Sequence, residues 1–456
     1  MIVSDWLDTL CAFLVEVRFD RFDDRTVGQA SLVALDTIGA IAGGAAEPEM
    51  RAITDRLAAG ASGPASVIGA GRSASLPVAA FLNGAAGTFL EMDEGNRFAR
   101  GHPAIHVLPA VWAIAEQRAL SGTAVIEALV VGYEVGTRLG MATSLRSSMH
   151  PHGTWGTVGA AAALAKLLGY DAHRMREAIN VASSLTLATS KRTMLEGGTV
   201  RNVYAGIANQ MGLLAIDLVE TGFTGERDGV ASVFGSVVSD RFDADAMTRE
   251  LGGGWQIDRN YFKLHSCCRY NHGALDALDN LFATTPPPPA DQIERIDVVS
   301  YLHAAELDDQ APRNTLAAKF SVPFAVATRI VRGSSGVENF TWEAVGDERV
   351  QALARRVFVT EDEALTAMLP QLRPARVAIR VRGGDTLRAG VDANRGDDQD
   401  PYSRAELEGK FRSLAGRAWP IAATERILGA LYRLDEVPDL SVLARETGIG
   451  APRSRQ

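Results

Sequence analysis

At 456 residues the chain is too long for one ordinary core, so two domains are expected. Hydrophobic residues at 46% and charged residues at 22% exclude extensive disorder, and a net charge of -9 leaves no basic footprint for nucleic acid. Cys11, Cys267 and Cys268 are too few for a disulfide framework and lack the paired spacing of a zinc or iron–sulfur site, so a reducing cytoplasm and no metal are expected.

The N-terminus is acidic (Asp5, Asp8), unlike the basic start of a signal peptide. The longest apolar stretches of the chain are broken by Gly, Thr or charge within a dozen or so residues, which predicts a soluble protein with no membrane span. Helical periodicity then runs through segments 27–44, 77–90, 109–118, 123–141, 156–168 and 172–184. Ser121 and Asp171 are expected caps, and Pro109 suits a first turn. Segment 156–168 is apolar nearly all round and should be buried inside a helical domain.

After Asn280 the character changes. Residues 286–289 are four prolines, an extended break. Segments 293–301 and 375–382 alternate like strands, and 387–391 is a hairpin partner across Gly383-Gly384-Asp385. Helical patterns lie between them at 317–331 and 347–357, and helices return at 403–415 and 421–431. The fold class expected is mainly α with an inserted α+β domain. Residues 1–281 with 394–456 would form the helical domain, and 282–393 the α+β lid.

Four segments concentrate chemistry at helix ends. The first is Glu91-Met92-Asp93-Glu94 with Arg97, Arg100 and Gly101-His102-Pro103, a turn that fixes an imidazole at the mouth of an apolar helix; a solvated loop is the alternative. His106, one turn on, is as much a core histidine as a participant. The second, His150 to Gly156, places His152 at a helix start, where backbone N–H groups favour a carboxylate and the neutral imidazole. The third sets Lys191, Arg192 and Arg201 around Glu196-Gly197-Gly198, cations that are either surface groups or a hold for carboxylates. The fourth, 262–272, packs Lys263, His265, Cys267, Cys268, Arg269 and His272 beside the expected domain boundary. There is no GxGxxG after a strand, Walker loop, HExxH or GxSxG elbow, and Tyr133 reads as a core residue.

These segments resemble the MmgE/PrpD family. The likeness is carried by 69–74, Asn83-Gly84 through the acidic cluster to Glu94, Gly101-His102-Pro103 and Val107-Leu108-Pro109-Ala110. It continues in Gly132-Tyr133-Glu134-Val135, His152-Gly153-Thr154, 263–270 and Ala318-Lys319-Phe320-Ser321-Val322-Pro323. The resemblance implies a large helical domain with a smaller lid, a homodimer, a site between the domains, no cofactor, and a small polycarboxylate as substrate. Carried over by motif, the catalytic residues are Asp93, His102, His152, Lys191 and Lys263, and the substrate-binding ones are Arg72, Tyr133, Cys268 and Arg269.

Three places depart from the family pattern, the first being Glu91-Met92-Asp93-Glu94, where the family has Asp at more of these positions. The run 193–202 is unlike the common form, and Cys268 stands where cis-aconitate decarboxylases carry a histidine, which counts against decarboxylation. The expected chemistry is removal of a proton next to a carboxylate, which needs a positioned base and stabilisation of growing charge. His152 or Asp93 would be the base and His102 the acid for a departing hydroxyl, as in a 2-methylcitrate dehydratase-like hydro-lyase. An epimerase acting on a dicarboxylate such as iminodisuccinate is the alternative, then a decarboxylase, then a non-catalytic binding protein.

Overall fold

The computed structural model describes residues 6–450. Its architecture is mainly α, with one four-stranded sheet in a smaller α+β part and three short two-stranded pairings. The helix expected to be buried, Trp155–Leu167, packs against Pro103–Gln117, Gly122–Ala142, Ala172–Ser184 and Tyr204–Glu220. Neighbours on all sides explain why it carries no polar face. At its crossing with Gly122–Ala142, a Cβ on Gly132 would sit 2.7 Å from the Gly159 carbonyl oxygen, so only glycine allows that approach.

Helix Asp24–Ala45 begins on Asp23, whose side chain accepts from the Thr26 N–H. Contrary to the sequence expectation, its 22 residues are long and apolar enough to cross a membrane by length and composition. Its burial belongs to a protein core, however. Helices Arg404–Ala415 and Ile421–Tyr432 pack on it, and Asp36 within it pairs with Lys410 at 2.5 Å. The end of the chain therefore returns to helices at its beginning.

Pro109 is not a helix start. The helix runs Pro103–Gln117, with Pro103 in its first turn and Pro109 inside. A proline there frees the carbonyl four residues back and usually breaks the helix. Here Asn209 donates to that Ile105 carbonyl (2.9 Å) and accepts from the next amide, Ala110 (2.9 Å), so the helix continues. Ser121 and Asp171 do cap helices, accepting from Ala124 and Arg174.

In the α+β part the strand order is Thr386–Val391, Ala375–Val381, Ile293–Ser300, Val357–Glu361. The last pair is parallel and the other two antiparallel. Strand Val357–Glu361 replaces the tail of the helix expected over 347–357, which stops at Ala354. The helical pattern of 317–331 is two helices, Thr315–Lys319 and Val322–Arg332, because Ser321 caps the second through the Phe324 N–H.

Two apolar cores result. One draws on helices before residue 262 and after 402; the other is built around the sheet from Cys267 to Ile379, with Met194 added. Helix His272–Phe282, which the sequence places on the helical side of a break at 282, gives Ala274, Leu275, Ala277 and Leu278 to the second core.

Candidate active site

The pieces of the site are sewn together by short backbone pairings. Gly95–Asn96 pairs with Asn260–Tyr261, which brings the acidic loop against Lys263. A bridge from Met149 to Ser190, with His150 N–H on the Thr189 carbonyl (2.9 Å), brings Lys191 beside the histidine loop. Behind the acidic loop, Ser266 Oγ donates to the Leu90 carbonyl (2.7 Å) and Lys410 Nζ to that of Met92 (2.6 Å). These hold Glu91 at φ 54°, an uncommon left-handed setting for a residue other than glycine.

A cavity of about 180 Å³ opens where the two cores meet, lined by Glu91, His102, His152 and Arg201 from one side and by His303 and Glu306 from the other. That volume is below the ~300–1,000 Å³ of pockets for drug-sized ligands and suits a small acid.

Four buried imidazoles stand side by side. The rings of His102 and His106 each lie 4.8 Å from that of His152, and His150 lies 5.3 Å from it. Burial, joined by nearby cations, holds His102, His150 and His152 well below the ordinary histidine range and His106 at about 4, so all four are neutral at pH 7. Their partners then fix the tautomers.

His102 Nδ1–H donates to the Glu94 carbonyl (2.5 Å), which leaves Nε2 as a free base. Asp93 Oδ2 lies 3.3 Å from that same Nδ1. His152 differs: its Nε2 faces Arg201 Nη2 at 3.3 Å, and a guanidinium can only donate. The proton of His152 therefore sits on Nδ1, a buried atom with no hydrogen-bond partner among the described residues. His106 is satisfied at both nitrogens, donating to the His102 carbonyl (2.7 Å) and accepting from Gly153 N–H (3.0 Å). It is a core histidine that ties the two loops together.

Asp93 and Lys263 do not line the cavity. Lys263 is fully buried behind it, 3.2 Å from Asp93 and 3.8 Å from Glu91, so its charge is already taken by two carboxylates. Lys191 does line the cavity and reaches across to Glu306 at 2.5 Å. Cys268 lines it too; burial pushes its thiol up to about 11, so it is a neutral wall. Arg269 borders the cavity, but its guanidinium is held by Asp397 (3.0 Å) and the Arg395 carbonyl (2.8 Å).

Two expected binding residues lie elsewhere. Tyr133 is buried in its helix, donating to Glu94 Oε2 (2.8 Å), and is absent from the cavity wall. Arg72 is exposed on a short strand, 3.3 Å from Asp55. Arg201, one of the three cations offered as a hold for carboxylates, lines the cavity, and so do Glu91 and His150, which lie in flagged segments but are not assigned by the family motif. His303, Glu306 and Arg373 line the cavity from the α+β part, where no sequence motif marks them.

Donor atoms of Asp93, His102 and His152 lie within 4.8 Å of one another, a carboxylate and two imidazoles of the kind that bind zinc. The ammonium of Lys263 on Asp93 and the guanidinium of Arg201 on His152 set fixed positive charges against two of the three, so these residues do not fit a divalent cation.

Residues 8–243 match the MmgE/PrpD N-terminal domain and residues 265–435 the MmgE/PrpD C-terminal domain. Among similar proteins, a cis-aconitate decarboxylase of Aspergillus terreus is 26% identical over 95% of this chain and 94% of its own. Those of Mus musculus and Homo sapiens are each 24% identical, covering 98% and 97% of this chain and 94% of their own lengths. With both domains matched in order along most of its length, the chain belongs to the MmgE/PrpD family.

Proposed function

We propose that the protein is a cofactor-independent lyase acting on a small tricarboxylate, most simply a hydro-lyase. The observation that carries this is the opposed tautomers of His102 and His152. One imidazole offers a lone pair and its neighbour offers a proton, the pair that loss of water requires. The hydrogen bonds thus favour the reverse of the roles expected from sequence, with His102 as base.

In this reading His102 Nε2 takes the proton next to a carboxylate, and the imidazolium is stabilised by Asp93 3.3 Å from its other nitrogen. His152 Nδ1–H is then the acid that meets the departing hydroxyl. Lys191 sits at the cavity wall to hold a carboxylate on which charge grows. A homodimer, expected from the family resemblance, and a cytoplasmic location, expected from the few unpaired cysteines, are part of the same proposal.

A second reading, decarboxylation, is favoured by the names of the relatives, all cis-aconitate decarboxylases. Purified protein incubated in deuterated water with citrate, 2-methylcitrate and cis-aconitate separates the two. A hydro-lyase interconverts a hydroxy acid and its alkene with deuterium entering at carbon; a decarboxylase releases carbon dioxide and leaves a five-carbon acid. Carbon dioxide release without hydration would replace the first reading by the second. No reaction or exchange on any acid would overturn both. Turnover lost on prolonged chelation and restored by one metal would overturn the cofactor-independent part.

A further inference from the structure

A second cavity, of about 570 Å³, adjoins the first and shares with it Arg100, Gly140, Tyr270, His303 and Arg373. Four arginines line it: Arg97, Arg100, Arg259 and Arg373. No aspartate or glutamate lines it, in a chain with 55 acidic and 46 basic residues. Of the four, Arg97 is paired, with Asp398. Among the described residues no carboxylate lies within ion-pair distance of Arg100, Arg259 or Arg373. Arg259 lies on the Phe98 ring, its guanidinium carbon 3.6 Å from the centroid.

Arg373 is the informative one. It is 3% exposed, and its Nη2 donates to the Arg97 carbonyl at 3.3 Å. The rings of Tyr261 and Tyr270 lie 5.5 Å from its guanidinium. Its Nη1 is buried with no hydrogen-bond partner. A buried charge without a counter-charge is costly, and so is an unmade hydrogen bond to a charged donor. Arg269, equally buried, has Asp397 for that purpose.

We propose that the arginine-lined cavity is an anion subsite, continuous with the catalytic cavity, in which Arg373 binds a remote carboxylate of a polycarboxylate substrate. This rests on the reading of the site as one for small polycarboxylates. The catalytic cavity takes the carboxylate next to the reacting carbon; the outer arginines take the carboxylate furthest from it. The planar guanidinium can meet a carboxylate with two parallel hydrogen bonds, which an ammonium cannot. Arg100 and Arg259 add field at the mouth and draw polyanions inward. The device therefore selects tricarboxylates over dicarboxylates.

Calorimetric titration of the full chain in low salt tests this with two acids that cannot lose water, tricarballylate and succinate. Wild type is expected to bind tricarballylate at least ~10-fold more tightly, the size of one charge-assisted hydrogen bond. Arg373→Gln should lose ~10–100-fold for tricarballylate and leave succinate within about twofold. Should Arg373→Gln fail to fold, Arg259→Gln and Arg100→Gln carry the same test, with smaller losses confined to tricarballylate. Equal binding of both acids by wild type, or unchanged tricarballylate binding in the variants, overturns the subsite. So does a site that ignores tricarballylate and binds inorganic phosphate with the same arginine dependence. Failure of the catalytic reading looks different: tricarballylate binds and is lost with Arg373, yet no acid exchanges deuterium or turns over.

Discussion

Behind the proposed catalytic cavity and along one wall of it, buried charges alternate in sign. Lys410 sits on Asp36, Lys263 lies between Asp93 and Glu91, and Arg201 closes the run on Glu91 and His152. In front of it the cationic groups Arg100, Arg259 and Arg373 have no carboxylate beside them. The first set is balanced within the chain and its work is to fix loops; the second is balanced only by a ligand. The histidines divide in the same way. His106 is satisfied at both nitrogens, whereas His152 keeps an orphan N–H. Charges balanced within the chain mark framework, and charges left unbalanced mark where a ligand would complete the site.

The largest effect should come from the incomplete pair. His102→Ala is expected to lower kcat by ~10²–10⁴-fold, the usual worth of a positioned acid or base, and to abolish deuterium exchange at carbon. His152→Ala should lower elimination by a similar factor and spare exchange better, since it supplies the proton for the leaving group and not the base. His106→Gln should leave the ratio of exchange to elimination unchanged. Exchange lost in His152→Ala and kept in His102→Ala would reverse the two roles.

Lys263 sharpens the framework side. Removing its ammonium leaves buried Asp93 without its lysine and Glu91 with Arg201 alone, so Lys263→Met should destabilise the fold by ~3–5 kcal/mol in denaturant titration. Lys191 is 19% exposed at its side chain, and Lys191→Met should cost about 0–1 kcal/mol, as partly open ion pairs do, while weakening substrate binding. Equal stability losses at the two lysines would contradict the division.

Much of this was legible in the residues. Helices with a 3.6-residue apolar rhythm and a Ser or Asp cap appear where expected, because both signals are local. The misplaced start at Pro109 was not legible, since the side chain that rescues it, Asn209, lies a hundred residues on. Strand Val357–Glu361 was hidden for a similar reason: five residues carry little periodicity, and its pairing with Ile293–Ser300 is remote in sequence. Glycine turns with histidines marked the catalytic loops. Arg373 carried no mark, because an arginine after a loop acquires meaning only from the tyrosines and the empty hydrogen bond around it.

Burial of so many neutral imidazoles has a consequence for stability against pH. His102, His150, His152 and His272 are held well below their ordinary value, His106 at about 4 and His303 lowered, each mainly by burial. Below pH 6.5 the unfolded chain takes up protons at these rings and the folded chain does not, so stability present above 6.5 is lost as pH falls. Glu94 works the other way. Burial raises its carboxyl to about 8, so between 4.5 and 8 the folded form holds a proton that the unfolded one releases. Burial also raises the carboxyls of Asp36, Glu134 and Asp258, so four carboxyls stand against six imidazoles; the imidazoles outweigh them, and the urea midpoint should fall between pH 6.5 and 5.5. A midpoint flat or rising over that interval would contradict the buried neutral state. Glu94→Gln should gain stability over wild type at pH 8 relative to pH 5.

The smallest effect separates the family motif from the geometry. The motif assigns Arg72 to substrate binding, but its side chain is 46% exposed and pairs with Asp55, itself 45% exposed. Exposed pairs of this kind contribute little, because water and salt screen both charges and two long side chains lose freedom in holding one geometry. It lines neither the catalytic cavity nor the arginine-lined one. Arg72→Ala should therefore change stability by no more than ~0.5 kcal/mol and leave KM and kcat within about twofold. A rise in KM of ten-fold or more with kcat unchanged would mean that Arg72 reaches a substrate site this single chain does not contain. A second copy bringing its Arg72 strand to the mouth of the cavity would account for that, and the same rise should then depend on protein concentration through the range in which copies associate.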